Sequence, residues 1–207
     1  MKEGLEAISA AQIDALQEVA NVGAGHAATA LGAMLEATIK ISVPRARIMS
    51  FADVSDFVGG AETYAVAVFS HVSGPVQASI LLVMPVEKAA QLLQMLLNTG
   101  NISLSGSFTD MEYSALMELG NILSSSYLNA LSSFTQMDFT PSTPALAMDM
   151  VGAVLDTILA QYGAVSDLVL LMETGFKKDN VDVMGNVFFL PEPESLDSIF
   201  AALGVAN

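Results

Sequence analysis

Asp14-x-x-x-Glu18-x-x-Asn21, followed by Pro44, returns 100 residues later as Ser114-x-x-x-Glu118-x-x-Asn121, followed by Pro144. A carboxylate offers a counter-charge to a cation. A carboxamide both donates and accepts hydrogen bonds without titrating. On a helix, residues three apart are neighbours, so one incoming group can touch both. The spacing therefore describes a two-pronged docking face, present twice.

Folding alone does not favour these choices. Asp14 and Glu18 are like charges at a four-residue interval, which costs a helix about 0.2–0.5 kcal/mol. Asparagine in a helix interior is about 0.6 kcal/mol worse than alanine. A lone Glu-x-x-Asn is common on solvated faces. Here the pair persists in both copies while Asp14 has become Ser114 and Gly25 has become Ser125. Apolar positions echo too: Leu16/Leu116, Val19/Leu119, Leu31/Leu131 and Met34/Phe134.

The elements that must carry these residues can be read from periodicity. A first helix is predicted over about 10–35, capped by Ser9. At about 100° per residue, Ile13, Leu16, Ala20, Ala27, Leu31 and Met34 share one side, while Asp14, Glu18 and Asn21 fall within roughly 60° on the other. Strand-like runs follow over about 38–49, 63–72 and 76–84, the last two joined by Ser73-Gly74-Pro75. Pro85 then opens a helix over about 86–97, which ends at Asn98-Thr99-Gly100. The second half repeats the order: a helix over about 110–134 capped by Thr109, a strand region over 138–147 and a short helix over 151–162. Strands over about 167–174 and 183–190 and a helix over 193–203 complete it. The expected fold is α+β, internally duplicated with pseudo-two-fold symmetry and a largely antiparallel sheet. Residues 1–207 are expected to form one domain of two repeats, about 8–100 and 108–204.

Composition excludes several functions. The 207-residue chain is 53% hydrophobic and 14% charged, which supports a sizeable core and not disorder. Twenty-two acidic residues against seven basic ones give a net charge of −15, which opposes nucleic acid and anionic membrane surfaces. It favours a partner that presents a basic group. There are no cysteines, so neither disulfides nor thiolate metal sites arise, in keeping with a cytoplasmic setting. The first eleven residues carry Glu3 and Glu6 and lack a signal-peptide pattern. The uncharged stretch from Tyr64 to Val86 is broken by polar residues and reads as two strands, with no membrane insertion expected.

With these residues in view, the chain resembles the CheC family of bacterial chemotaxis phosphatases. The resemblance rests on Asn21-Val22-Gly23-Ala24-Gly25-His26-Ala27-Ala28-Thr29-Ala30-Leu31, on Glu118-Leu119-Gly120-Asn121-Ile122-Leu123, and on Ser126-Tyr127-Leu128-Asn129-Ala130-Leu131. Both copies satisfy the family pattern Asp/Ser-x3-Glu-x2-Asn-x22-Pro, and the likeness covers essentially the whole chain. His26 departs from it, standing where the family has asparagine, but lies outside the Glu/Asn pair. The resemblance implies hydrolysis of the aspartyl phosphate of the response regulator CheY, with Glu18, Asn21, Glu118 and Asn121 as the catalytic residues. Asn21 or Asn121 would orient the attacking water, and Glu18 or Glu118 would pair with the regulator's lysine. Mg2+ would be held by the regulator, with no cofactor bound by this chain. The deamidase CheD is a further implied partner, and a monomer is expected because duplication already supplies a two-fold relation. The alternative is a non-catalytic flagellar-switch or adaptor protein that binds the phosphorylated regulator. Switch proteins carry this domain fused to further segments, which favours the phosphatase.

Other residues carry less chemistry. His26 and His71 lack ligand-like spacing. Gly23-x-Gly25 lies within a helix, not after a strand, and is expected to allow close helix packing rather than to hold phosphate. Twelve methionines read as core filler. Ser124-Ser125-Ser126 has no base in register with it.

Overall fold

The computed structural model describes residues 8–100, 102, 108–162, 167–192 and 195–206. The first helix, α1, spans Ala10–Leu35. Strand β1 (Lys40–Ser50), a 3-10 turn (Phe51–Asp53), the short helix α2 (Val54–Val58), β2 (Tyr64–Ser73), β3 (Ala78–Pro85) and α3 (Val86–Leu97) complete the first half. The second half comprises α4 (Asp110–Thr135), β4 (Thr140–Pro141), β5 (Ala145–Met150), α5 (Val151–Tyr162), β6 (Leu168–Lys178), β7 (Val181–Pro191) and α6 (Ser195–Ala202).

All pairings are antiparallel, in the order β1-β6-β7-β3-β2, with β4 and β5 both pairing the far edge of β2. Exchanging β1 for β5, β2 for β6 and β3 for β7 maps this order onto its own reverse. That is the expected pseudo-two-fold, and it interleaves the two halves at the β3–β7 pairing.

Both faces of the sheet are covered. Val66, Val68, Ile80, Leu82, Leu170, Met172, Val187 and Phe189 point into a large cluster with α1, α3, α4 and α6. Their alternate neighbours Ala65, Ala67, Leu81, Val83, Val169, Leu171, Phe188 and Leu190 point into a second cluster with α2 and α5. The central strands are therefore nearly continuous apolar runs, because an antiparallel sheet shows polar alternation only when one face meets water.

Each long helix starts on a reciprocal capping box. The Ser9 N–H donates to Gln12 Oε1 at 2.7 Å and the Gln12 N–H to Ser9 Oγ at 3.3 Å. The Thr109 N–H donates to Glu112 Oε2 at 2.6 Å and the Glu112 N–H to Thr109 Oγ1 at 3.3 Å. Each box satisfies two backbone donors that a helix start leaves open. Replacing Ser9 or Thr109 with alanine is expected to lower stability by about 1 kcal/mol each, read as a lower urea midpoint at unchanged slope. An unshifted midpoint would show that neighbouring packing, not the cap, sets the helix start.

Three expectations need correction. The strand region over 138–147 is two pieces, β4 and β5, because Ser142, Thr143 and Pro144 interrupt it and proline has no N–H for the ladder. Strand β6 continues past Thr174 to Lys178, since Phe176 is fully buried and Lys177 pairs with Lys40 of β1. Met34 is 47% exposed, not buried, although Leu31 and Leu35 beside it on α1 pack on the core. Helix α6 is described over Ser195–Ala202, and its expected start at Pro193 lies outside the described residues.

Candidate functional site

Helix α1 buries Leu16, Val19, Ala20, Ala24, Ala27 and Leu31, so Asp14, Glu18 and Asn21 are left exposed on the far side. Helix α4 buries Leu116, Leu119, Leu123 and Leu131, which leaves Glu118 exposed and Asn121 half-buried. Thus each Glu/Asn pair occupies a single accessible face, as the spacing predicted. The pairs sit on different helices and form two faces: the cleft beside Asn121 takes no lining from α1.

The helices are brought together by small residues at two places. A Cβ on Gly23 would overlap Tyr127 Cδ1 and lie 3.0 Å from Tyr127 Cα, so α1 and α4 touch there almost backbone to backbone. A Cβ on Gly120 would overlap Val68 Cγ1, so α4 lies directly on β2 one residue before Asn121. Gly25 has nothing within 4 Å and is exposed, so close packing accounts for Gly23 alone. Tyr127 is anchored in turn. Thr174 Oγ1 donates to the Met172 carbonyl at 3.1 Å, which leaves its oxygen to accept from Tyr127 Oη at 3.3 Å. Burial pushes the Tyr127 hydroxyl up to about 12, with the Thr174 contact lowering it in part, so Tyr127 stays protonated.

The recurring prolines serve the two faces differently. Pro44 lies in β1, where the register against β6 shifts between Ser42 and Arg45. That irregularity frees the Val43 carbonyl and the Ala46 N–H, and both turn to Gln17. Gln17 Nε2 donates to the Val43 carbonyl at 2.7 Å and Gln17 Oε1 accepts from the Ala46 N–H at 2.6 Å. Gln17 Nε2 also donates to Asn21 Oδ1 at 3.3 Å. Pro144, in contrast, helps to wall an open cleft of about 400 Å3 between α4 and residues 141–144, whose other side is Ser114, Met117, Glu118 and Asn121. Ser142 pins that wall to β2: its N–H donates to the His71 carbonyl at 2.7 Å, and its Oγ accepts from the His71 N–H at 3.1 Å.

Sequence reasoning missed Gln17 and Ser142. Gln17 could have been found, since it stands four residues before Asn21, within reach on one helix face. Ser142 could not, because its partner is 71 residues away. The histidines stay apart, His26 exposed on α1 and His71 on β2, and among the described residues no three His, Asp or Glu side chains are grouped to hold a metal ion. No helix among the described residues is long and apolar enough to cross a membrane. The chemistry on offer is therefore a carboxylate for a cationic group beside a carboxamide for hydrogen bonding, with one more carboxylate, Asp14, on the first face.

Residues 12–48 and 111–148 match the model of the CheC-like family, so each match runs from the Glu/Asn helix through its proline. The chain is 34% identical over 198 residues to the CheY-P phosphatase CheC of Bacillus subtilis, covering 94% of this chain and 95% of that protein. Among solved structures, FliY of Thermotoga maritima shares the fold at 17% identity and a TM-score of 0.74, covering 97% of this chain and 100% of that one. The chemotaxis protein CheX of Desulfovibrio desulfuricans does so at 16% identity and a TM-score of 0.52, covering 84% and 99%. Identity at that level along nearly the full length, with both Glu/Asn segments matched, means that the chain belongs to the CheC-like family.

Proposed function

We infer that this protein is a phosphatase that hydrolyses the aspartyl phosphate of CheY. The observation that carries the reading is the accessible Glu/Asn pair, built twice on α1 and α4, in a chain 34% identical to a CheY-P phosphatase.

An acyl phosphate is already a reactive electrophile, so its hydrolysis needs positioning and charge stabilisation more than a covalent nucleophile. Asn21 or Asn121 enters the regulator's site and holds a water in line with phosphorus. The water oxygen bonds to phosphorus, the bond from phosphorus to the aspartyl oxygen breaks, and the regulator's carboxylate and inorganic phosphate leave. Glu18 or Glu118 pairs with a lysine of the regulator and fixes the docking. The strongly acidic chain suits a partner surface that presents such a cation. Mg2+ would be held by the regulator, where it would neutralise phosphoryl charge. The same reading takes in CheD as a partner, a monomeric chain and a cytoplasmic site of action; co-elution of the purified pair tests the first of these.

The test is the decay of phosphorylated CheY with Mg2+, alone and with this protein. Faster decay that scales with protein concentration is expected. Unchanged decay despite measurable binding would instead leave an adaptor whose Glu/Asn faces serve only to dock.

A further inference from the structure

We propose that Gln17 is a positioning residue for the first face, fixing which way the Asn21 carboxamide points by tying it to the irregular stretch of β1. The proposal rests on the phosphatase reading for its kinetic consequence, though not for its geometry.

The argument is one of hydrogen-bond bookkeeping. A glutamine side chain can be turned end for end, and so can an asparagine. Gln17 is not free to turn. Its Oε1 faces the Ala46 N–H, a donor, and its Nε2 faces the Val43 carbonyl, an acceptor. Both partners are backbone and belong to a strand already paired to β6. The atom that Gln17 turns to Asn21 is therefore Nε2, a donor, and Asn21 must answer with Oδ1. Asn21 Nδ2 is left facing outward, and one lone pair of Oδ1 stays open. The carboxamide thus meets its partner with one orientation already chosen. A side chain free to rotate would have to be ordered when the complex forms, and misorientation of a catalytic group by about 1 Å can cost on the order of 10²-fold in rate.

The second face lacks the device. Met117 stands where Gln17 does, is 36% exposed, and has no group that could set the orientation of an amide. Asn121 makes no side-chain hydrogen bond among the described residues and borders the open cleft. The same recurring proline thus accompanies a fixed carboxamide in one copy and a free one in the other.

The test uses the full chain with Asn121→Ala, so that turnover reports the first face alone. Adding Gln17→Met is expected to lower kcat for phosphorylated CheY about tenfold with KM within twofold. Gln17→Glu, which keeps the acceptor for Ala46 and loses both donors, is expected to do the same. A purely structural role would not split kcat from KM in this way. An equal fall in the Asn21→Ala background, where only the second face works, would mean general damage and would overturn the proposal. Side-chain nitrogen relaxation gives a readout that needs no activity. The Asn21 amide group should be ordered in wild type and as mobile as Asn121 after Gln17→Met; equal mobility before and after would overturn it. Failure of the phosphatase reading shows itself separately, as a wild-type protein that never accelerates decay.

Discussion

Replacing Asn21 and Asn121 together with alanine is expected to abolish acceleration of CheY-phosphate decay, a fall on the order of 10²-fold or more. The reason is local. Neither asparagine supports the core: one is exposed and one half-buried, and the apolar faces of α1 and α4 pack without them. Truncation removes the carboxamide that would hold the water but leaves Glu18 and Glu118 to dock. Binding of the phosphorylated regulator should therefore change little while turnover disappears. Stability should hold or rise, since each change to alanine relieves a mid-helix asparagine worth about 0.6 kcal/mol. Loss of activity accompanied by a stable fold is hard to attribute to anything but the site. Each single variant should keep the turnover of the remaining face. A double variant with full activity would remove the asparagines from the mechanism and, with them, the stated role of the repeat.

Much of this was legible in the sequence because the signals are local. Helices α3 and α5 have the predicted bounds, and Ser9 and Thr109 are the caps that their residue types announced. The Glu/Asn faces are accessible because helical rotation separates them from Leu16, Leu31, Leu116 and Leu131. The strand order was not legible. Pairing of β1 with β6 and of β3 with β7 joins residues more than 100 positions apart, and nothing in either strand names its partner. The β6–β7 hairpin was underestimated for a different reason. Its turn is Asp179-Asn180, with Asp179 at φ 54°, which asparagine and aspartate tolerate better than most residues. Gly175, Lys177 and Lys178 are not residues of a core strand by type, whereas Phe176 among them is fully buried. The break of the strand region at residues 142–144, by contrast, was announced by Pro144 and should have been taken from it. The spacing of Gln17 to Asn21 is local and legible, whereas its partners Val43 and Ala46 in β1 are visible only after folding.

Gly23 and Gly25 are expected to respond to enlargement with opposite signs, although they stand two residues apart on one helix. Gly23→Val should cost about 3 kcal/mol. The new side chain meets Tyr127, whose backbone lies 3.0 Å from the first added carbon. Tyr127 is 4% exposed and its hydroxyl is held by Thr174 on β6. Relief by a rotamer change would break that bond inside the core, so α1 and α4 must separate instead. Gly25→Ala should gain about 1 kcal/mol, because it adds a side chain to open space and removes backbone freedom from the unfolded chain. Urea unfolding of both variants beside wild type measures the difference. A Gly23→Val protein as stable as wild type would show that Tyr127 yields, and that the contact does not set the helix separation. Function adds a second comparison. Gly25 lies one turn beyond Asn21, and enlarging it leaves the Gln17 anchor untouched, so turnover should follow wild type. Separation of the helices by Gly23→Val would shift the segment between Asn21 and the core, and turnover at the first face should fall further than the loss of folded protein explains.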